Sequence, residues 1–253
     1  MALFEHGDSS IYYEEQGSGD PVLLLPGLAG SIAELSALRE ALAARYKVIA
    51  ADLPGSGRSG PQPRAYTATY YQDDAGSFAA LLQHLETGPT HLLGFSDGGE
   101  VSLLIAALTP EIVRSVATWG SAGTITEAHL PMVDAMYNII DSPIEPLQDF
   151  SAYLKAEYGE ANARTMMQNF ANAARDIISK GGDISLSKVG DITCPVLLVV
   201  GEHDFVVSPA LVNQLAARIQ NAEVMEVEGA GHAVHHDRSE WMAQTLLDWL
   251  QTH

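Results

Sequence analysis

The chain has 253 residues, of which 47% are hydrophobic and 18% charged, and it carries a formal net charge of −19. That length and apolar content suit one α/β domain with a sizeable core, while the acidic excess and the lack of any basic stripe exclude a nucleic-acid binder. No apolar run approaches the ~20 residues of a membrane span, so no membrane partner is expected.

In chain order, residues 3–6 and 11–15 read as a hairpin turned at Gly7-Asp8. An apolar strand over 22–25 follows, then the Gly-punctuated turn Pro26-Gly27-Leu28-Ala29-Gly30-Ser31, then a helix with Leu35, Leu38 and Leu42 on one face. A strand over 48–51 runs into a Gly/Pro loop at 54–63. Asp52 and Arg58 bracket that loop and are expected to hold its shape through hydrogen bonds and an ion pair. A helix over 70–85, a strand over 91–95, an apolar helix over 101–108 and a strand over 115–119 continue the alternation that builds a mostly parallel sheet.

Residues 121–188 break this alternation. Pro131, Pro143 and Pro146 interrupt helical stretches over 131–140, 147–158 and 161–180, with no strand between them. An all-helical insertion between two sheet strands is expected to form a cap over the active site. Met132, Met136, Tyr137, Met166, Met167 and Phe170 read as its core first and as substrate contacts second. The apolar run 195–201 and a strand over 224–227 return to the core, which is thus expected to comprise 1–120 and 189–253. Cys194, the one cysteine, reads as a packed thiol and permits no intramolecular disulfide. The first residues show neither a basic region nor an apolar signal core, so a reducing cytoplasm is the expected compartment.

The run Leu92-Leu93-Gly94-Phe95-Ser96-Asp97-Gly98-Gly99 places a serine in a G-x-S-x-G turn between strand and helix. Small neighbours let such a sharp turn lift the hydroxyl clear of the sheet edge. A serine hydroxyl is a poor nucleophile at neutral pH and needs a base and an orienting acid. Asp204 lies just beyond the carboxyl end of the 195–201 strand, and His232 lies in the Gly229-Ala230-Gly231-His232 turn after the next one. Glu202 is the alternative carboxylate. His203 is too close in sequence to Asp204 for that side chain to orient it. His235 and His236 could enter a metal site, but no carboxylate-rich ligand set accompanies them, so they read as a solvated helix start and no metal is expected. His6, His84, His91, His129 and His253 read as ordinary surface or partly buried groups.

A tetrahedral oxyanion needs preorganised donors. The amide of Asp97 follows the serine, and the amide of Leu28, in the turn after the 22–25 strand, is the expected second. The Asp97 side chain has two open readings, a cap on the following helix or a pocket carboxylate. Trp119, ending the strand beside the elbow strand, is a candidate pocket wall.

The motifs Leu23-Leu24-Leu25-Pro26-Gly27-Leu28, Asp52-Leu53-Pro54-Gly55-Ser56-Gly57-Arg58-Ser59, Gly94-Phe95-Ser96-Asp97-Gly98-Gly99, Gly201-Glu202-His203-Asp204 and Gly229-Ala230-Gly231-His232 resemble the α/β-hydrolase superfamily. The order Ser, Asp, His agrees with that superfamily. Pro26, the Ser96-Asp97-Gly98-Gly99 elbow and Trp119-Gly120 resemble its valacyclovir hydrolase (biphenyl hydrolase-like) branch, although Phe95 stands where that branch carries tryptophan. The resemblance implies a mostly parallel eight-stranded sheet, a helical cap and a serine esterase acting on a small-molecule ester without a cofactor. It further implies that Asp97 holds the α-amino group of amino-acid esters. Carbon–carbon bond hydrolases, enol-lactonases and perhydrolases share the fold and triad, and a slow-turnover ligand receptor is the reading from another class. Either a monomer or a homo-oligomer is compatible with the sequence.

Overall fold

The computed structural model describes residues 1–253, apart from the side chain of Pro146. Eight strands form one sheet in the order β1-β2-β4-β3-β5-β6-β7-β8. The hairpin β1 (Ala2–His6) and β2 (Ser9–Gln16) is antiparallel and lies at one edge, where mostly exposed β1 closes the sheet with Glu5 and His6 at its end. From β4 (Lys47–Ala51) and β3 (Pro21–Leu25) through β5 (Thr90–Phe95), β6 (Val113–Trp119), β7 (Val196–Gly201) and β8 (Ala222–Val227), neighbours run parallel. Strands covered on both faces need apolar residues at successive positions, which explains the unbroken runs of β3, β5 and β7.

Alternation along each strand then sorts these residues onto two cores. Leu23, Leu92, Val116 and Leu198 point to the face covered by α2 (Tyr70–His84), α3 (Asp97–Leu108) and α7 (Pro209–Ala216). Leu24, Phe95, Trp119 and Val199 point to the face covered by α1 (Ser36–Ala43), α8 (Val234–Asp237) and α9 (Ser239–Leu250). Between β6 and β7 the chain is helical: α4 (Leu130–Tyr137), α5 (Glu145–Tyr158) and α6 (Glu160–Ser179). The helix expected over 131–140 ends at Tyr137 and gives way to a separate 3₁₀ turn, Ile139–Asp141. Met136, Met166, Met167 and Phe170 are buried, whereas Met132 and Tyr137 are only half-buried. The insertion is pinched at its base, where the Gly123 carbonyl accepts from the amides of Ile184, Ser185 and Leu186. Buried Glu100 sits below, accepting from the amides of Ala122 and Gly123 and from the Ser185 hydroxyl at 2.7–2.9 Å.

Asp52 accepts from the amides of Ile32 and Arg58 at 2.6 and 2.8 Å. The expected ion pair is corrected: the Arg58 guanidinium reaches Glu14 instead, because both Asp52 oxygens already receive backbone donors. No helix among the described residues is long and apolar enough to cross a membrane.

Candidate active site

Ser96 joins β5 to α3 with φ +51° and ψ −114°, a left-handed backbone that costs a non-glycine residue free energy. Its neighbours make that turn sterically possible. A Cβ on Gly94 would stand 2.3 Å from the Gly98 carbonyl oxygen, and one on Gly98 would stand 2.5 Å from that of Pro26. The Ser96 amide donates to the Trp119 carbonyl at 2.8 Å and its own carbonyl accepts the Ser121 hydroxyl at 3.0 Å, so the end of β6 and the residues just beyond it hold the turn from the side.

Asp204 and His232 arrive from the loops after β7 and β8. The Asp204 side chain is fully buried, and its Oδ1 accepts the amides of Val206 and Val207, each at 2.8 Å. Its Oδ2 lies 2.8 Å from His232 Nδ1, and His232 Nε2 lies 3.1 Å from Ser96 Oγ. Gly120, at φ +73°, lies flat against the imidazole; a Cβ there would come within 2.7 Å of His232 Cε1 and displace the ring. Glu202, the alternative carboxylate, accepts the Gly229 amide at 2.9 Å and makes no contact with His232. His203 is exposed. The arrangement can pass a proton from a serine hydroxyl to an imidazole held by a buried carboxylate.

The turn after β3 approaches the same hydroxyl. Gly98 donates its amide to the Pro26 carbonyl at 3.2 Å, and a Cβ on Gly27 would lie 3.3 Å from Ser96 Cβ. Gly30 donates to the Gly27 carbonyl at 3.0 Å, closing a turn with Leu28 and Ala29 at its corners.

Asp97 is buried. No side chain caps the start of α3; the Asp97 carboxylate instead accepts the Tyr71 and Tyr70 hydroxyls at 2.9 and 3.3 Å. Burial raises its pKa, and the Tyr71 hydrogen bond and the Arg64 guanidinium oppose the rise. Arg64 is itself committed to Asp74 by two contacts at 2.6 and 2.7 Å. Neither tyrosine carries a sequence signal of this role, since a Tyr-Tyr pair at a helix start looks like core.

Trp119 is corrected. Its side chain is fully buried on the α1/α9 face, because alternation along β6 turns positions 117 and 119 away from the helical insertion. The indole donates to His235 Nδ1 at 2.9 Å. His235 is therefore not part of a solvated helix start but a buried group, and His91, also buried, pairs with Ser115.

A carboxylate does accompany His235 and His236, but from far away in sequence: ligand atoms of Glu34, His235 and His236 lie within 4.8 Å of one another, at the rim of a cleft of about 460 Å³ between α1 and α9. The hydrogen-bond pattern does not fit a metal ion. An indole N–H can only donate, so His235 Nδ1 offers its lone pair to Trp119 and the ring hydrogen sits on Nε2, the atom that faces Glu34 Oε1 at 4.0 Å. A metal-bound imidazole would need the reverse arrangement. Burial pushes His235 down to about 3 and Glu34 up to about 7.

The α/β hydrolase family model matches residues 22–245. The chain belongs to the α/β-hydrolase family. It is 27% identical over 256 aligned residues to human serine hydrolase BPHL, covering 95% of this chain and 83% of that one. It is 26% identical to the 2-(acetamidomethylene)succinate hydrolase of Mesorhizobium japonicum, covering 96% and 92%. The enol-lactonase from Burkholderia xenovorans superposes with a TM-score of 0.79 at 20% identity over 99% of this chain and all of that one, a likeness of fold. The protein is a hydrolase with similarity to the BPHL branch.

Proposed function

We propose that this hydrolase cleaves carboxylic esters through a covalent acyl-enzyme on Ser96, with esters of α-amino acids as its preferred class. The observation that carries the reading is the unbroken relay from Asp204 through His232 to Ser96, at 2.8 and 3.1 Å. His232 takes the Ser96 proton as the hydroxyl attacks the ester carbonyl, and Asp204 stabilises the imidazolium that forms. The amides of Leu28 and Asp97 receive the developing oxyanion. His232 then protonates the leaving alcohol, and a water activated by the same ring releases the acid. The insertion over 121–188 acts as the cap that encloses the substrate. None of these steps calls on a cofactor.

Charge supports the amino-acid preference. Three buried carboxylates, Asp74, Asp97 and Glu100, share this region with one buried guanidinium, Arg64, among the described residues. Asp74 already uses that guanidinium, so Asp97 has only two neutral phenols as donors. A substrate ammonium would supply the missing positive charge and fix which end of the molecule meets Ser96. The test compares multiple-turnover hydrolysis of matched esters with and without a free α-amino group. Ser96→Ala is expected to lose up to ~10⁶-fold in kcat on both. Asp97→Asn should cost on the order of 100-fold in kcat/KM on the aminoacyl ester and little on the plain one. Equal losses on both would reduce Asp97 to scaffold, and turnover retained by Ser96→Ala would remove the acyl-enzyme.

A further inference from the structure

Two tyrosines of the helical insertion reach across to the turn that carries Leu28. The Ala29 carbonyl accepts the Tyr158 hydroxyl at 2.6 Å and the Tyr153 hydroxyl at 3.1 Å, so both its lone pairs are taken. The Tyr158 oxygen in turn accepts the Gly57 amide at 2.8 Å, which ties the same phenol to the loop shaped by Asp52. Tyr158 is buried and is the last residue of α5. Ala29 has φ +54°, one of three non-glycine residues with positive φ among the described residues, and it is the third residue of the turn closed by the Gly30 amide on Gly27. That position ordinarily takes glycine, so alanine persists there only if its surroundings hold it. Leu28 is the second residue of the same turn, and its N–H direction follows the turn's geometry.

We propose that Tyr158, assisted by Tyr153, is a positioning residue for the oxyanion turn, so that the Leu28 amide is aimed at the reacting carbonyl only while α5 is seated. The inference rests on the acyl-transfer reading above. It makes the insertion part of the catalytic apparatus as well as a cover: when α5 lifts, the Ala29 carbonyl loses both donors and the strained turn relaxes. Premature reaction with the site open to water is thereby suppressed.

The experiment uses the full chain with p-nitrophenyl acetate as substrate and a small trifluoromethyl ketone as a mimic of the tetrahedral adduct. Tyr158→Phe removes the donor to Ala29 and the acceptor for Gly57 without leaving a void. It is expected to lower kcat about 10-fold, to leave KM within about twofold, and to weaken ketone binding by the same factor as kcat/KM. Tyr153→Phe, which leaves the shorter bond in place, should show the same split at about threefold, and it carries the test if Tyr158→Phe does not fold. Wild-type kcat and ketone affinity in a folded Tyr158→Phe protein, or a change confined to KM, would overturn the proposal. Turnover that survives in Ser96→Ala would instead remove the acyl-transfer reading, and this inference with it.

Discussion

Two imidazoles three residues apart occupy opposite chemical situations. His232 has a buried carboxylate on Nδ1 and a hydroxyl on Nε2, so its hydrogen sits on Nδ1 and its free lone pair faces Ser96. His235 has an indole donor on Nδ1 and a buried, unpartnered Nε2, so its tautomer is the reverse. Phe95 separates the two rings, at 5.1 Å from one and 4.6 Å from the other. Glu34 stands 4.0 Å from His235 Nε2, beyond hydrogen-bond reach, whereas Asp204 meets His232 Nδ1 at 2.8 Å and is itself secured by the amides of Val206 and Val207. What distinguishes a base from a packed histidine here is the set of atoms on its two nitrogens, which spacing along the chain does not reveal.

The most forceful way to break this contrast is to exchange the carboxylate for an amide in the first group. Asp204→Asn should present an N–H or a weak acceptor to Nδ1, favour the wrong tautomer and lower kcat about 10⁴-fold, with the fold retained. The companion change, His235→Gln, can still accept from Trp119 through its amide oxygen and should leave kcat within about threefold. Steady-state hydrolysis of one ester by both variants decides the matter: comparable losses would mean that the two groups work as one network across Phe95.

Most of the sheet was legible because buried parallel strands announce themselves as short apolar runs, and the turns that carry Ser96, Asp204 and His232 follow directly from their ends. Boundaries moved where polar residues hide inside strands, as with Arg114 in β6 and Glu223 in β8. The site itself divides along the same line. Ser96, Asp204 and His232 could be named because each sits in a local motif. Trp119 ends the strand beside the elbow strand, but alternation along β6 turns position 119 to the other face, a consequence of register that nearness to the elbow does not reveal. Tyr158 and Ala29, 129 residues apart, and Glu34 and His235, 201 apart, carry no local signature, so only the folded chain brings them together. Glu100, in the first turn of α3 immediately ahead of its apolar run, becomes a buried polar anchor only through partners that come from the loop after β6 and from Ser185.

Glu34 offers the finest test of the contrast, since its carboxyl is destabilised where that of Asp204 is well supplied with donors. Burial raises Glu34 from 4.5 to about 7, against a small opposing pull from the Gly27 amide and His232. Below pH ~4.5 the folded and unfolded chains both hold this proton, and the group has no effect on stability. Between ~4.5 and ~7 the unfolded chain ionises first, so the native state loses stability as pH rises, and the loss is complete above ~7. Glu34→Gln is neutral throughout. With a quarter of the Glu34 side chain open to water, the gain should be about 2 kcal/mol at pH 8 and vanish near pH 4.5. Denaturant melts of both proteins at the two pH values measure it. A difference of equal size at each pH would trace the effect to packing in the Glu34–His235 group and not to a strained charge.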